Sequence, residues 1–431
     1  MRKDKVTIDH DGPLENHALV DQVSRRRSSP FQSQEASGVA GDEPLRVMCL
    51  LTDWPEGMAT HLVSSLMQRM DIMRFIPQLC CLREPGAWGE QIADRFQVNG
   101  GLSSYPCDLR VLPRLVRQMR NRVDVVMTVG TGDSMFWAYL AAKLSGVPVV
   151  LSVLDLADRS TVVNRLLAAW TDVVVVTSAA QSNFLRERKH FAKEKIRVIP
   201  LGIDPQKFVF DPKAPFAVRQ QLGIPLESAV CGMVAPLRPE KKHRLFLEVA
   251  RRILDEIPTT HFLVVGDGPP EAERLKVFSA RLQLAERVHF LGDRADIAHL
   301  LSSLNVFLWS SDRAGDSVEI LAALSIQIPV VAAPLDRSSA WVKNGVTGFL
   351  APPGDVGQLA DFAVELIQDG ALAHRVGALG RQEIIAHHSV DRMVRAYQHL
   401  ILEVYHRKQS GGPPRQQESR LNSFGICAAT P

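Results

Sequence analysis

The chain has 431 residues, more than one ordinary domain core needs and well suited to two domains with tails. Hydrophobic residues make up 46% and charged residues 23%, the balance of a soluble globular protein. A formal net charge of +3, with 50 basic and 47 acidic residues, gives no case for nucleic acid as the main partner. No run approaches the roughly 20 apolar residues that span a bilayer, and the N-terminus has charges but no apolar signal core. The expectation is therefore a cytoplasmic protein. The cysteines, Cys49, Cys80, Cys81, Cys107, Cys231 and Cys427, include no CxxC pair. They read as reduced, packed thiols rather than a disulfide framework. Cys80 and Cys81 are a poor metal pair, because neighbours on a strand face opposite ways.

In chain order, residues 1–43 are polar, without an apolar period, and read as a disordered arm that includes Arg25-Arg26-Arg27. Short β-branched runs follow at 46–52, 123–129, 147–153, 173–177 and 196–200, separated by amphipathic stretches such as 109–122 and 160–171. Uninterrupted apolar strands with helices between them predict a parallel sheet covered on both faces. The rhythm restarts with strands at 229–235, 261–266, 287–291, 306–310 and 329–333. Between the two series lies VIPLGIDPQKF (198–208), where Pro200, Gly202 and Pro205 interrupt regular structure. A long helical pattern over 383–407 follows the second series, and 409–431 reads as a second disordered tail. The predicted fold class is α/β, two Rossmann-like, doubly wound parallel-sheet domains facing a cleft. The predicted layout is an arm at 1–43, domains at 44–198 and 199–382, a helix at 383–408 that crosses back, and the tail.

In open α/β sheets ligands sit at the carboxyl ends of the strands, where helix N-termini suit phosphate. Four strand-to-helix loops carry glycine there: Pro55-Glu56-Gly57, Gly130-Thr131-Gly132, Gly266-Asp267-Gly268 and Ala314-Gly315-Asp316. None is GxGxxG or a P-loop, which disfavours a dinucleotide dehydrogenase or a Walker-type ATPase. Each glycine alone is explained by a tight turn; their recurrence across both series points to a shared cleft.

The second series resembles the retaining, nucleotide-sugar-dependent glycosyltransferases of family 4, which have the GT-B fold. The resemblance rests on VIPLGIDPQKF, GMVAPLRPEKKH (232–243), FLVVGDGP (262–269), VHFLGDRADI (288–297), IPVVAAP (328–334) and NGVTGFLAPPGD (344–355), in that order. It covers about residues 196–405, whereas 45–195 matches in rhythm only. It implies transfer of a sugar from a nucleoside-diphosphate sugar to a glycan or lipid-linked acceptor, with the donor in the second domain and the acceptor on the first. The family's phosphate-binding lysine falls on Lys241, but its arginine falls on Pro236. Its paired glutamates fall on Ala314 and Ala322, with Gly315 kept between them. Its histidine-aspartate pair falls on Leu154-Asp155, and its Gly-Gly-glutamate loop falls within 336–340.

On that basis Asp155 and Glu319 are the candidate catalytic acids. Lys241, Arg238, Gly266, Asp267, Gly268, Gly315 and Asp316 are the candidate donor-binding residues, and Glu56 and Gly57 lie on the acceptor side. Arg313 or Arg294 is placed to reach a phosphate in place of the lost arginine, and Asp312, with Asp316 and Glu319, brackets the empty glutamate slots. Glu319 also reads as an N-terminal helix acid, Asp155 as a helix cap, Lys241 as a solvated loop charge, Trp309 as core and His61 as helix surface. Thr347 and Gly348 read as a hairpin turn. No DxD stands as a metal motif, and no cofactor or metal is expected. The missing glutamates leave a second reading, a catalytically impaired relative that binds a partner or serves as a scaffold. The arginines of 109–122 suit anionic headgroups at a peripheral membrane contact, and a solvated helix face explains them equally.

Overall fold

The computed structural model describes residues 43–52, 58–84, 89, 92–102, 108–120, 122–129, 133–153, 171–189, 192–311, 318–333 and 341–410. The first half contains β1 (Leu45–Leu51), α1 (Met58–Arg69), β2 (Phe75–Cys81), β3 (Gln97–Asn99), α2 (Val111–Met119), β4 (Val125–Val129), α3 (Asp133–Ser145), β5 (Val149–Val153), β6 (Val173–Val176), α4 (Ala179–Lys189) and β7 (Ile196–Val198). The second opens with α5 (Ala214–Leu222), β8 (Val230–Val234), α6 (His243–Glu256), β9 (His261–Val265), α7 (Glu271–Arg281) and β10 (Val288–Phe290). It continues with α8 (Ile297–Ser302), β11 (Val306–Trp309), α9 (Val318–Ser325), β12 (Val330–Ala332), β13 (Phe349–Leu350), α10 (Val356–Gln368) and α11 (Gly370–His387). A last helix, α12 (Val390–Gln409), follows.

The strands form a seven-stranded sheet ordered β3-β2-β1-β4-β5-β6-β7 and a six-stranded sheet ordered β10-β9-β8-β11-β12-β13. Neighbours pair in parallel, as in β1 with β4 and β8 with β9. Strand order therefore reverses between β1 and β4, and again between β8 and β11, the doubly wound arrangement of the GT-B fold. Every residue of β8 and β9 is buried, which is why these strands read as unbroken apolar runs. Cys49 and Cys81 lie in the core on one side of the first sheet and Cys80 in the core on the other. Burial pushes the Cys49 and Cys231 thiols up to about 12, so both stay protonated and inert at neutral pH.

Two strands of the first sheet are absent from the sequence reading. β2 (FIPQLCC) carries Pro77 and Gln78, which disguise it; β3 begins pairing only at Gln78, one residue past the proline. The 109–122 pattern shortens to α2, and the helical pattern at 383–407 is two helices. His388 and Ser389 break it because their backbone pairs elsewhere: Ile203 N–H donates to His388 O and Val390 N–H to Ile203 O, each at 2.8 Å. Gly202 lies against this contact, where a Cβ would stand 2.5 Å from Ser389 O. α12 then packs on α1 of the first half, with Arg69 Nη1 2.8 Å from Asp391 and Arg197 3.1 Å from Glu403. No described helix is long and apolar enough to cross a membrane.

Two buried histidines tie this fold to pH. Burial, then the Lys241 charge, lowers His243 from 6.5 to about 4, and burial lowers His388 likewise to about 4. Between these values the unfolded chain binds protons that the folded chain refuses. Stability is therefore complete above pH 6.5 and falls as the pH drops toward 4, by at most roughly 3 kcal/mol per histidine. Urea unfolding followed across that window should show the midpoint falling, and His388→Asn should flatten the dependence.

Candidate active site

The carboxyl ends of β8, β9 and β10 open into a cavity of about 770 Å³, lined by Pro236, Arg238, Asp267, Gly268, Glu271, Arg274 and Asp293 among others. The chain here is held backbone to backbone. Ala235 N–H donates to Val265 O and Leu237 N–H to Asp267 O, both at 2.9 Å, while Gly266 N–H donates to Gly292 O at 2.8 Å. The glycines answer to this packing. Gly266 has φ +130° and a Cβ on it would lie 2.1 Å from Ala235 O; one on Gly268 would lie 2.3 Å from Leu237 O. Asp267 Oδ1 accepts its neighbour Gly268 N–H at 2.8 Å, so one acid oxygen is spent on shaping the turn.

Beside this cavity, where strand order reverses, the 3-10 turn Pro239–Lys241 meets the end of β11. Ser310 Oγ donates to Lys242 O and Ser311 Oγ to Glu240 O, each at 3.0 Å. These bonds stitch the turn to β11 and fix Lys241, which is 5% exposed, with Nζ 5.3 Å from the centroid of the Trp309 ring. Lys241 is therefore no solvated loop charge: its stem is packed, and its ammonium is held at the switch point of the second sheet. Trp309 is fully buried, as its core reading has it.

Arg238, Asp267 and Gly268 come together in the cavity wall; Gly266 stands behind it and Lys241 to one side. Glu319 lies in the first turn of α9, half-buried. Ala322, three residues further on, is 2% exposed within the apolar face of that helix. Arg294, a candidate substitute cation, forms an ion pair with Asp296 at 2.6 Å. Asp155, Gly315, Asp316, Glu56 and Gly57, with Asp312, Arg313, Ala314 and 336–340, lie outside the described residues. Glu271, Arg274 and Asp293 escaped the sequence reading. The only signal for the first two was GDGPPEAER, a proline-led helix start at a strand end.

Two further expectations are corrected. His61 is not a helix-surface residue: its Nε2–H donates to Gly202 O at 2.6 Å, and burial lowers its pKa, so α1 is tied to the segment that joins the two halves. Thr347 and Gly348 do not form a hairpin, because β13 runs parallel to β12; Thr347 Oγ1 instead accepts Lys343 N–H at 2.8 Å to close a local loop. Among the described residues no three or more histidine, cysteine or acidic side chains gather as a metal site.

Residues 228–369 match the family model described as Glycosyl transferases group 1, and residues 56–207 match that of Glycosyltransferase Family 4. The chain belongs to the family 4 glycosyltransferases. Among similar proteins is the UDP-Gal:alpha-D-GlcNAc-diphosphoundecaprenol alpha-1,3-galactosyltransferase of Escherichia coli. It is 28% identical over 279 residues, covering 62% of this chain and 72% of that enzyme. The N-acetyl-alpha-D-glucosaminyl L-malate synthase of Bacillus anthracis is 21% identical over 315 residues, covering 71% of this chain and 82% of its own. Among solved structures, HepE of Anabaena in complex with UDP superposes with a TM-score of 0.75 at 20% identity, covering 83% of this chain and all of that one. That likeness establishes the GT-B fold of this glycosyltransferase.

Proposed function

We propose that this glycosyltransferase moves a sugar from a nucleoside-diphosphate sugar to a lipid-linked or glycan acceptor, with retention at the anomeric carbon. The reading rests above all on the buried Lys241 beside a polar cavity at the carboxyl edge of the second sheet. As the acceptor hydroxyl oxygen bonds to the anomeric carbon, the bond from that carbon to the phosphate oxygen breaks and the hydroxyl proton passes to the departing diphosphate. Negative charge then collects on the leaving diphosphate. Lys241 meets that charge, with Arg238 and backbone amides of the loops after β8 and β9 assisting, so the reaction asks for no metal. Glu319 and Asp155 are assigned the acid roles, Gly315 and Asp316 complete the donor loop, and Glu56 and Gly57 border the acceptor. The diphosphoundecaprenol acceptor of the similar Escherichia coli galactosyltransferase supports a lipid-linked acceptor here.

The alternative is a binding protein built on the same fold. It is favoured by Ala322, whose packing leaves the second glutamate slot as plain core. Thermal melting with a panel of nucleotides and nucleotide sugars separates the two. Saturating UDP- or GDP-sugar at about 100 times its Kd should stabilise the fold by about 2.7 kcal/mol, raising the melting temperature by a few degrees. A melting curve that no nucleotide moves would leave the scaffold reading in possession.

A further inference from the structure

A second cavity, of about 370 Å³, lies at the amino edge of the first sheet. Val149 opens β5, Asp172 immediately precedes β6 and Lys195 immediately precedes β7, and all three line it. Ligands of an open α/β sheet gather at the carboxyl edge, where the donor cavity of the second sheet opens, so this hollow is no part of that site. Four cations line it: Lys143 of α3, Lys195 of the 3-10 turn Lys193–Lys195, and Arg407 and Lys408 in the last turn of α12. Two acids stand among them, Asp172 and Glu194. Asp172 Oδ2 accepts the Val149 backbone N–H at 2.9 Å, and Lys408 Nζ lies 3.9 Å from Oδ1. Glu403, one turn back on α12, is shared between Arg197 at 3.1 Å and Arg407. Counting Glu403 and Arg197, five cations answer three acids here, in a chain whose whole net charge is +3. Tyr139 and Thr171, each 1% exposed, join hydroxyl to hydroxyl in the cavity wall. A helix C-terminus favours a basic last turn, but that gives no reason for Lys143 and Lys195 to line the same hollow.

We infer that this cavity is a second ligand site, built for a small sugar phosphate and separate from the donor site. Its volume lies at the small end of the roughly 300–1,000 Å³ typical of ligand pockets, which suits one compact metabolite. Lysine and arginine take phosphate oxygens in charge-assisted hydrogen bonds. The two carboxylates would repel a bare polyanion, yet they accept hydrogen bonds from hydroxyls, which a sugar carries beside its phosphate. An occupant touches α3, the turn ahead of β7 and α12 at once. α12 is reached only after the chain has returned from the second half, so the ligand fastens that returning helix to the first sheet. The site stands apart from the transfer reaction and does not rest on the donor or acceptor proposed above.

The test is calorimetric titration of the full chain, with and without excess UDP, with glucose 1-phosphate, glucose 6-phosphate and fructose 6-phosphate, and with inorganic phosphate in a parallel arm. At least one sugar phosphate is expected to bind more tightly than inorganic phosphate, and to do so equally well when UDP is present. The double variant K143Q/K195Q should weaken that binding on the order of 10²-fold, about tenfold per lysine. Its melting temperature should not change, because Lys143 is exposed and Lys195 half-buried. Should the double variant melt early, Lys143→Gln alone is expected to lose about tenfold in affinity. Amide exchange in the last two turns of α12 should slow when the sugar phosphate is added to the unaltered chain, and not in the double variant. Three results would overturn the site: no sugar phosphate bound, binding abolished by UDP, or undiminished binding by the lysine variants. Equal affinity for inorganic phosphate would overturn the assignment to a sugar phosphate.

Discussion

Lys241→Met is expected to lower kcat/KM for sugar transfer by about 10²-fold while the fold survives. A charge-assisted hydrogen bond to a phosphate oxygen is worth roughly 1.5–3 kcal/mol, and each 1.36 kcal/mol is about tenfold in rate. Methionine keeps an unbranched stem over the Trp309 ring and removes only the charge, so packing is nearly conserved. A second readout guards against a merely structural effect. The Lys241 charge helps to hold His243 at about 4, so its removal should raise the His243 pKa, visible in the imidazole proton shifts. Unchanged kinetics with a lowered melting temperature would mean that Lys241 is a packing residue, and the donor-phosphate assignment would fall with it.

Gly266→Ala should be the most damaging small substitution in the second half, costing about 3–5 kcal/mol of stability. The residue has φ +130°, a region closed to alanine, and the new methyl would meet Ala235 O at 2.1 Å. Neither side can retreat, because Ala235 is tied to Val265 and Gly266 to Gly292. Gly223→Ala provides the comparison: it has φ +67° with open space around it, so it pays the strain without the collision, about 1 kcal/mol. Urea midpoints of the two variants decide the matter, and similar midpoints would show that the close approach at Gly266 is not what constrains it.

The sequence makes the fold class readable because parallel strands buried on both faces are almost wholly apolar, as in VCGMV and the FLVV of β9. It hides β2, where a proline and a glutamine interrupt the run, and β3, which is three residues long. At the site, Arg238, Asp267 and Gly268 are legible because strand-end loops are where ligands gather, and the structure does bring them into one cavity. What a string cannot convey is depth. In RPEKKH all four charged side chains look alike, yet Arg238 is exposed and Lys241 is buried against Trp309. His61 is similarly opaque, since its partner Gly202 is 141 positions away.

The chain passes between the two sheets twice, once at Leu201–Asp204 and once at His388–Val390, and the two passages are bonded to each other through Ile203. Two strings laid side by side act as a door hinge: they permit rotation about one line and resist twist and sliding. With α12 packed on α1 beyond the second passage, the paired strings leave rotation about one line as the softest motion between the two sheets.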